Sequence, residues 1–197
     1  KEILLLLLYA FLQSVIFHFP QAWPLGFVSL VPLFFLLYLC PSPQDALKWG
    51  YLAGVLQTAG TYYWILHVTK AGYLAMCVYL GTFTALYAFL AYNSVQVLAL
   101  AGTPEFRWGS VKVVTLAALW VLIEFVRSNV PVMRFPWALL GYSQWQNLGF
   151  IQSADLWGAY GVSLLLALTA AGVFAAGMLA LRFSRGEMQM PRYAGQL

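Results

Sequence analysis

Between Trp120 and Gln144 the chain reads WVLIEFVRSNVPVMRFPWALLGYSQ, and in it a carboxylate, Glu124, stands three residues before a guanidinium, Arg127. On a helix that spacing puts both side chains on one face, where they can pair. A second guanidinium, Arg134, follows beyond Pro131. Two chemistries are open to these groups. Glu124 and Arg127 can form an ion pair that fixes their helix against its neighbours, or Arg127 or Arg134 can meet a lipid phosphate, whose geometry a guanidinium matches in bidentate fashion. Phe135, Trp137, Tyr142 and Trp145 add aromatic surface, which serves either as the amphipathic floor of a binding site or as an interfacial belt with no ligand. Elsewhere the reactive residue types are scattered. Cys40 and Cys77 lie far apart, outside any Cys-x-x-Cys or Cys/His pattern, and are expected to be inert thiols. His18 and His67 are expected to be satisfied structural residues, and no metal or cofactor is implied.

The elements that position these groups are written in an apolar alphabet. Of 197 residues, 62% are hydrophobic and 8% charged, against roughly a quarter charged in soluble domains. The chain therefore reads as an all-α integral membrane protein. Its net charge of +4 does not point to nucleic acid, because the cations stand singly between apolar runs. The opening KEILLLLLYAFLQSVIF resembles a signal peptide but lacks a small-x-small cleavage site, so it reads as a retained first helix. At about 20 apolar residues per crossing, about six transmembrane helices are expected. They run approximately from Ile3 to Phe19, Leu25 to Cys40, Leu47 to Val68, Tyr73 to Leu100, Val113 to Val126 and on through Arg127, and Leu156 to Leu181.

Lys and Arg are retained on the cytoplasmic side of short loops. With the N-terminus inside, Lys1, Lys48, Arg107, Lys112, Arg182, Arg185 and Arg192 are cytoplasmic, and only Lys70, Arg127 and Arg134 fall outside. Residues 1–181 then form a polytopic membrane domain, and 182–197 a cytoplasmic basic tail leading to a further region downstream. The opening Lys1 likewise suggests a start upstream. The loop around Gly102 and Pro104 is a cytoplasmic connection. Gly50 and Gly54 make a G-x-x-x-G step suited to close helix packing. Tyr62 to Trp64 form an outer aromatic band or line a lipid-entry groove.

Glu124 and Arg127 lie ~18 and ~22 Å along a helix that starts near Lys112, toward the outer leaflet. Pro131 should end that helix. Pro136 is placed to start a short helix through Leu140, stopped by Gly141. Backbone of this kind is tolerated at membrane depth only where protein or water buries it. A re-entrant or interfacial extracytoplasmic segment is therefore expected near 128–155.

Five stretches in this order resemble one known family. They are FPQAWPL at 19–25, GVLQTAGTYYWI at 54–65, EFVR at 124–127, FPWALLGYSQ at 135–144, and a Gly-x-Tyr-Gly-Val-Ser step from Gly158 to Ser163. Together they resemble the membrane domain of bacterial apolipoprotein N-acyltransferases across nearly the whole chain. The resemblance implies a multi-pass protein of the bacterial inner membrane with its functional face in the periplasm. It implies transfer of an acyl chain from a phospholipid donor to the amino group of a lipoprotein's diacylglyceryl-cysteine, through a thioester acyl-enzyme. In that family a nitrilase-like domain supplies a Glu-Lys-Cys triad. Neither Cys40 nor Cys77 matches its motif, so no catalytic residue is expected in this chain, which by itself should be inactive. The residues expected to contact substrate are Glu124, Arg127, Arg134, Phe135, Pro136, Trp137, Gly141, Tyr142, Gln144 and Trp64. The other reading is a non-catalytic membrane module that binds lipid or a partner subunit. A transporter is disfavoured, because the spans lack repeated broken helices with midplane charges.

Overall fold

The computed structural model describes residues 1–100, 105–131 and 133–185. Among them every regular element is helical. Helix α1 (Glu2–His18) buries Leu6, Tyr9, Ala10, Gln13 and Ile16, a stripe at helical spacing, and turns Ile3, Leu4, Leu7 and Phe11 outward. It ends where Phe19 becomes extended ahead of Pro20, as the residue before proline must.

The expected second span is a broken one. A 3₁₀ turn (Pro20–Phe27) is bent by 40° from α2 (Val31–Leu39), and the two are long and apolar enough to cross a membrane only if taken together. Pro24 lies inside the 3₁₀ turn and Pro32 in the first turn of α2, so neither can extend into a continuous helix.

Helix α3 (Pro43–Thr61) starts on a cap: Ser42 Oγ accepts from the Asp45 amide at 3.1 Å, with Pro43 behind it. It stops at Thr61 rather than running to Val68, and a separate 3₁₀ turn (Tyr63–His67) leads into α4 (Lys70–Leu100). Gly50 packs on Ala88, while a Cβ on Gly54 would lie 2.7 Å from Thr84 Cβ and 2.9 Å from Gly81 Cα. These pairings run in opposite directions along the two helices, so α3 and α4 are antiparallel. Their backbones approach through the glycine step that the sequence marked.

Helix α5 (Glu105–Asn129) is longer than expected at both ends. The connection at Gly102 and Pro104 lies outside the described residues, as do positions 186–197 of the tail. A single-turn helix, α6 (Leu148–Ile151), precedes α7 (Ala154–Ser184). The helical rise of α7 is interrupted at Gly158, whose φ of 65° with ψ of −175° belongs to a region open essentially to glycine alone. Tyr9, Leu33, Ala53, Tyr87, Ala117 and Leu166 are fully buried in one core that joins α1, α2, α3, α4, α5 and α7.

Three described helices, α4, α5 and α7, are by themselves long and apolar enough to cross a membrane, four spans if the bent pair counts as one. That is fewer than the six expected. The 17 residues of α1 fall short in length, and α3 carries Gln44, Asp45, Lys48 and Gln57.

Candidate functional site

The C-terminal turns of α5 grip the segment that follows them. Ser128 Oγ donates to Glu124 O at 2.7 Å and Asn129 Nδ2 to Phe125 O at 2.8 Å, and the helix ends before Pro131. The chain then doubles back: Phe135 N donates to Arg127 O at 3.1 Å.

Glu124 is 4% exposed, and it is not salt-bridged to Arg127. Its Oε1 instead accepts from the Leu140 amide at 2.7 Å and from Trp120 Nε1 at 3.1 Å. Arg127 turns Nη2 to the carbonyl oxygens of Trp137 at 3.0 Å and Ala138 at 3.4 Å. The shared helical face expected from the i, i+3 spacing is real. It presents a carboxylate to a backbone donor and a guanidinium to backbone acceptors, so the two charges complete the hydrogen bonds of irregular backbone.

This grip changes where the short helix forms. Trp137 and Ala138 make a turn, with Ala138 at φ 46°, and the 3₁₀ helix runs from Leu140 to Gln144. It therefore starts four residues after Pro136 and contains Gly141, which was expected to stop it. Gly141 N donates to Ser163 Oγ of α7 at 2.9 Å, and a Cβ on Gly141 would lie 2.6 Å from Ala159 O. Only glycine lets the turn sit that close to α7. Gln144 is fully buried, and its Nε2 donates to Trp23 O at 2.8 Å. A Cβ on Gly26 would lie 2.6 Å from that nitrogen. Leu139, Leu140, Gly141, Ser143 and Gln144 are all buried, so the segment after α5 folds back into the bundle between α7 and the Pro20–Phe27 turn.

The aromatic groups divide into a buried layer and an outer one. Tyr62 packs edge-on against Phe135 at 5.3 Å, and its hydroxyl donates to Trp137 O at 3.0 Å. Above it the Trp137 ring stacks on Trp64 at 6.1 Å with 26° between planes, and both are about half exposed. Tyr142, Trp145, Pro136 and Arg134 are also exposed. Of the residues expected to meet substrate, Arg127, Phe135, Trp137 and Trp64 converge on this one patch, with Arg134 and Pro136 on the same segment. Glu124, Gly141 and Gln144 lie inside the protein and support it.

Several participants were not among the residues expected to contact substrate. Ser163 Oγ accepts from the Gly141 amide and the Tyr79 hydroxyl donates to Met133 O at 3.0 Å, each meeting a backbone group distant in sequence, while the Trp23 carbonyl accepts from the Gln144 side chain. Below the patch Gln13, Gln57, Thr58 and Thr84 join Glu124 and Arg127 around a cavity of about 30 Å³. Four polar residues on apolar helices were the visible signal there. His18 ties α1 to α3, with Nε2 2.9 Å from Gly60 O.

Comparisons with known proteins bear on the same stretch. The family model described as the apolipoprotein N-acyltransferase N-terminal domain matches residues 9–172. The chain is similar to the apolipoprotein N-acyltransferase of Geobacter metallireducens, at 35% identity over 171 residues that cover 85% of this chain and 32% of that protein. It is 34% identical over 172 residues to the one from Methylococcus capsulatus, covering 82% of this chain and 33% of the relative. It is 29% identical over 150 residues to the one from Nitrosomonas europaea, covering 76% and 30%. The chain thus spans about a third of the length of these curated relatives.

Proposed function

Because this chain belongs to the family of apolipoprotein N-acyltransferase N-terminal domains, we propose that it is the lipid-handling platform of such an acyltransferase, working at the periplasmic face of the inner membrane. The donor is a phospholipid and the acceptor the diacylglyceryl-cysteine of a lipoprotein. In the first step a thiolate outside residues 1–197 attacks the donor ester, forming a thioester and releasing lysophospholipid. In the second the acceptor amine attacks the thioester, forming the amide and returning the thiol. Splitting one acyl transfer in two in this way is covalent catalysis. The platform contributes position, holding the ester of a membrane-bound donor near the nucleophile.

The observation that carries this reading is how Trp137 is held. Its carbonyl is fixed from below by Arg127 Nη2 and Tyr62 Oη, while its indole, stacked on Trp64, stays half exposed. Rigid aromatic surface supported by buried polar groups suits the boundary between acyl chains and headgroups. Arg127 already serves two carbonyls, so Arg134, exposed on the same segment, is the better phosphate partner. Glu124, Gly141 and Gln144 act as positioning residues.

The test is Trp137→Ala and Trp64→Ala in the intact gene product, assayed with phospholipid vesicles and a diacylglyceryl peptide. An aromatic pair of this kind is worth about 0.5–1.5 kcal/mol, so transfer should fall by about two- to tenfold through KM for the phospholipid, with the protein still folded and inserted. Unchanged turnover in both variants refutes the platform. Lipid binding without any acyl transfer by the intact product supports a non-catalytic lipid-binding module instead.

A further inference from the structure

Beneath the aromatic patch two buried polar atoms with opposite requirements belong to residues that line the same small cavity. Glu124 Oε2 needs a donor and Arg127 Nε carries a proton that needs an acceptor. Neither meets a partner of good hydrogen-bond geometry within the protein, although the Ser163 hydroxyl, which accepts from Gly141 N, lies beside the carboxylate. Both residues line the cavity of about 30 Å³, together with Gln13 of α1, Gln57 and Thr58 of α3, and Thr84 of α4. Leaving such atoms unpaired costs more than any hydrogen bond between neutral groups returns.

We propose that this cavity is a built hydration site, in which one or two ordered water molecules bridge Glu124 Oε2 to Arg127 Nε. Three features select water over other small ligands. The first is size: about 30 Å³ exceeds the roughly 10–15 Å³ a single water needs and is too little for a phosphate or an ammonium headgroup. The second is charge. A carboxylate and a guanidinium side by side are neutral together, so a cation would be repelled by Arg127 and an anion by Glu124. The third is hydrogen-bonding sense, since one molecule must donate to Oε2 and accept from Nε, and water does both.

The bridge explains how the two charges can stay apart. A direct ion pair would draw the side chains together, away from Leu140 N on one side and the Trp137 and Ala138 carbonyls on the other. A water between them lets Oε1 and Nη2 remain on the backbone of the 137–140 turn. The same water lies where four helices meet, so it joins α1, α3, α4 and α5 to the turn that presents Trp137. This inference rests on the geometry of the cavity alone and stands whether or not the patch above it binds lipid.

The test uses the intact gene product, unmutated, in lipid nanodiscs, with water itself as the probe. A structure at water-resolving resolution should show one or two density peaks within hydrogen-bond distance of both Glu124 Oε2 and Arg127 Nε. In bilayers, water-edited solid-state NMR should transfer magnetisation to the Glu124 carboxyl carbon at a rate of the same order as to exposed Arg134, although Glu124 is 4% exposed. Direct contact between the two side chains, a peak with the distances of an ion, or loss of the water-edited signal at the Glu124 carboxyl would each overturn the proposal. None of these readouts involves acyl transfer, so its failure is separable from failure of the platform.

Discussion

Replacing Glu124 by leucine removes the whole carboxylate and strands the two protein donors that end on its Oε1. Leu140 N at 2.7 Å and Trp120 Nε1 at 3.1 Å both end on Oε1, and Leu140 is as buried as the carboxylate itself. A buried donor left without a partner costs about 1–3 kcal/mol. Side-chain hydrogen bonds in membrane helices average about 0.6 kcal/mol and reach about 1.7, which sets the lower part of the range. Two donors then make Glu124→Leu about 2–4 kcal/mol less stable, or roughly 5–15 °C in Tm for a chain of this length. Glu124→Gln keeps a carbonyl oxygen where Oε1 stands, so it should lose less than about 1 kcal/mol. The assay is thermal unfolding in detergent followed by tryptophan fluorescence, with limited proteolysis of the 133–145 segment alongside. Leucine should open that segment to protease while leaving α4 and α7 protected, and glutamine should leave it closed. If leucine is as stable as the parent, or if glutamine is as damaging as leucine, the carboxylate does not act as a backbone acceptor.

Two further outcomes follow from close approach and from burial. Gly141→Ala would put a Cβ 2.6 Å from Ala159 O, a backbone atom with little freedom to move. Overpacking of this kind costs about 1–3 kcal/mol, and it should appear as a lower Tm and slower acyl transfer in the intact product, with Gly149→Ala, which meets nothing within 4 Å, as the silent control. Cys40, at the end of α2, is buried, and burial first, then the carboxylates of Asp45 and Glu2, push its thiol up to about 11. The raised value favours the protonated thiol in the folded state. Its contribution to stability is therefore complete below the unfolded value near 9 and is lost as pH rises toward 11. Maleimide should leave Cys40 unlabelled at pH 7 until the protein is denatured, as mass spectrometry will show; rapid labelling of the folded protein would contradict this.

Chain-local signals in the sequence translated directly into structure. Phe19-Pro20 ends α1, Ser42-Pro43 starts α3, Asn129 with Pro131 beyond it ends α5, and the Gly50/Gly54 step seats α3 on α4. Each of these is decided by a residue and its near neighbours. The second span misled because its apolar run is continuous in hydropathy, whereas Pro24 and Pro32 divide it in backbone geometry. The partners of Glu124 and Arg127 could not be read at all. Spacing assigns them a common face, and an ion pair is then the simplest inference, because the only charges visible in a sequence are on side chains. What meets them in the fold is the amide of Leu140 and the carbonyls of Trp137 and Ala138, groups that every residue carries and that become partners only once the turn exists. The turn in turn needs Gly141 against α7 and Gln144 against Trp23, contacts 22 and 121 residues apart in sequence. A charged pair in an apolar helix therefore marks the presence of irregular backbone beside it in the fold, and the FPWALLGYSQ stretch shows where that backbone comes from.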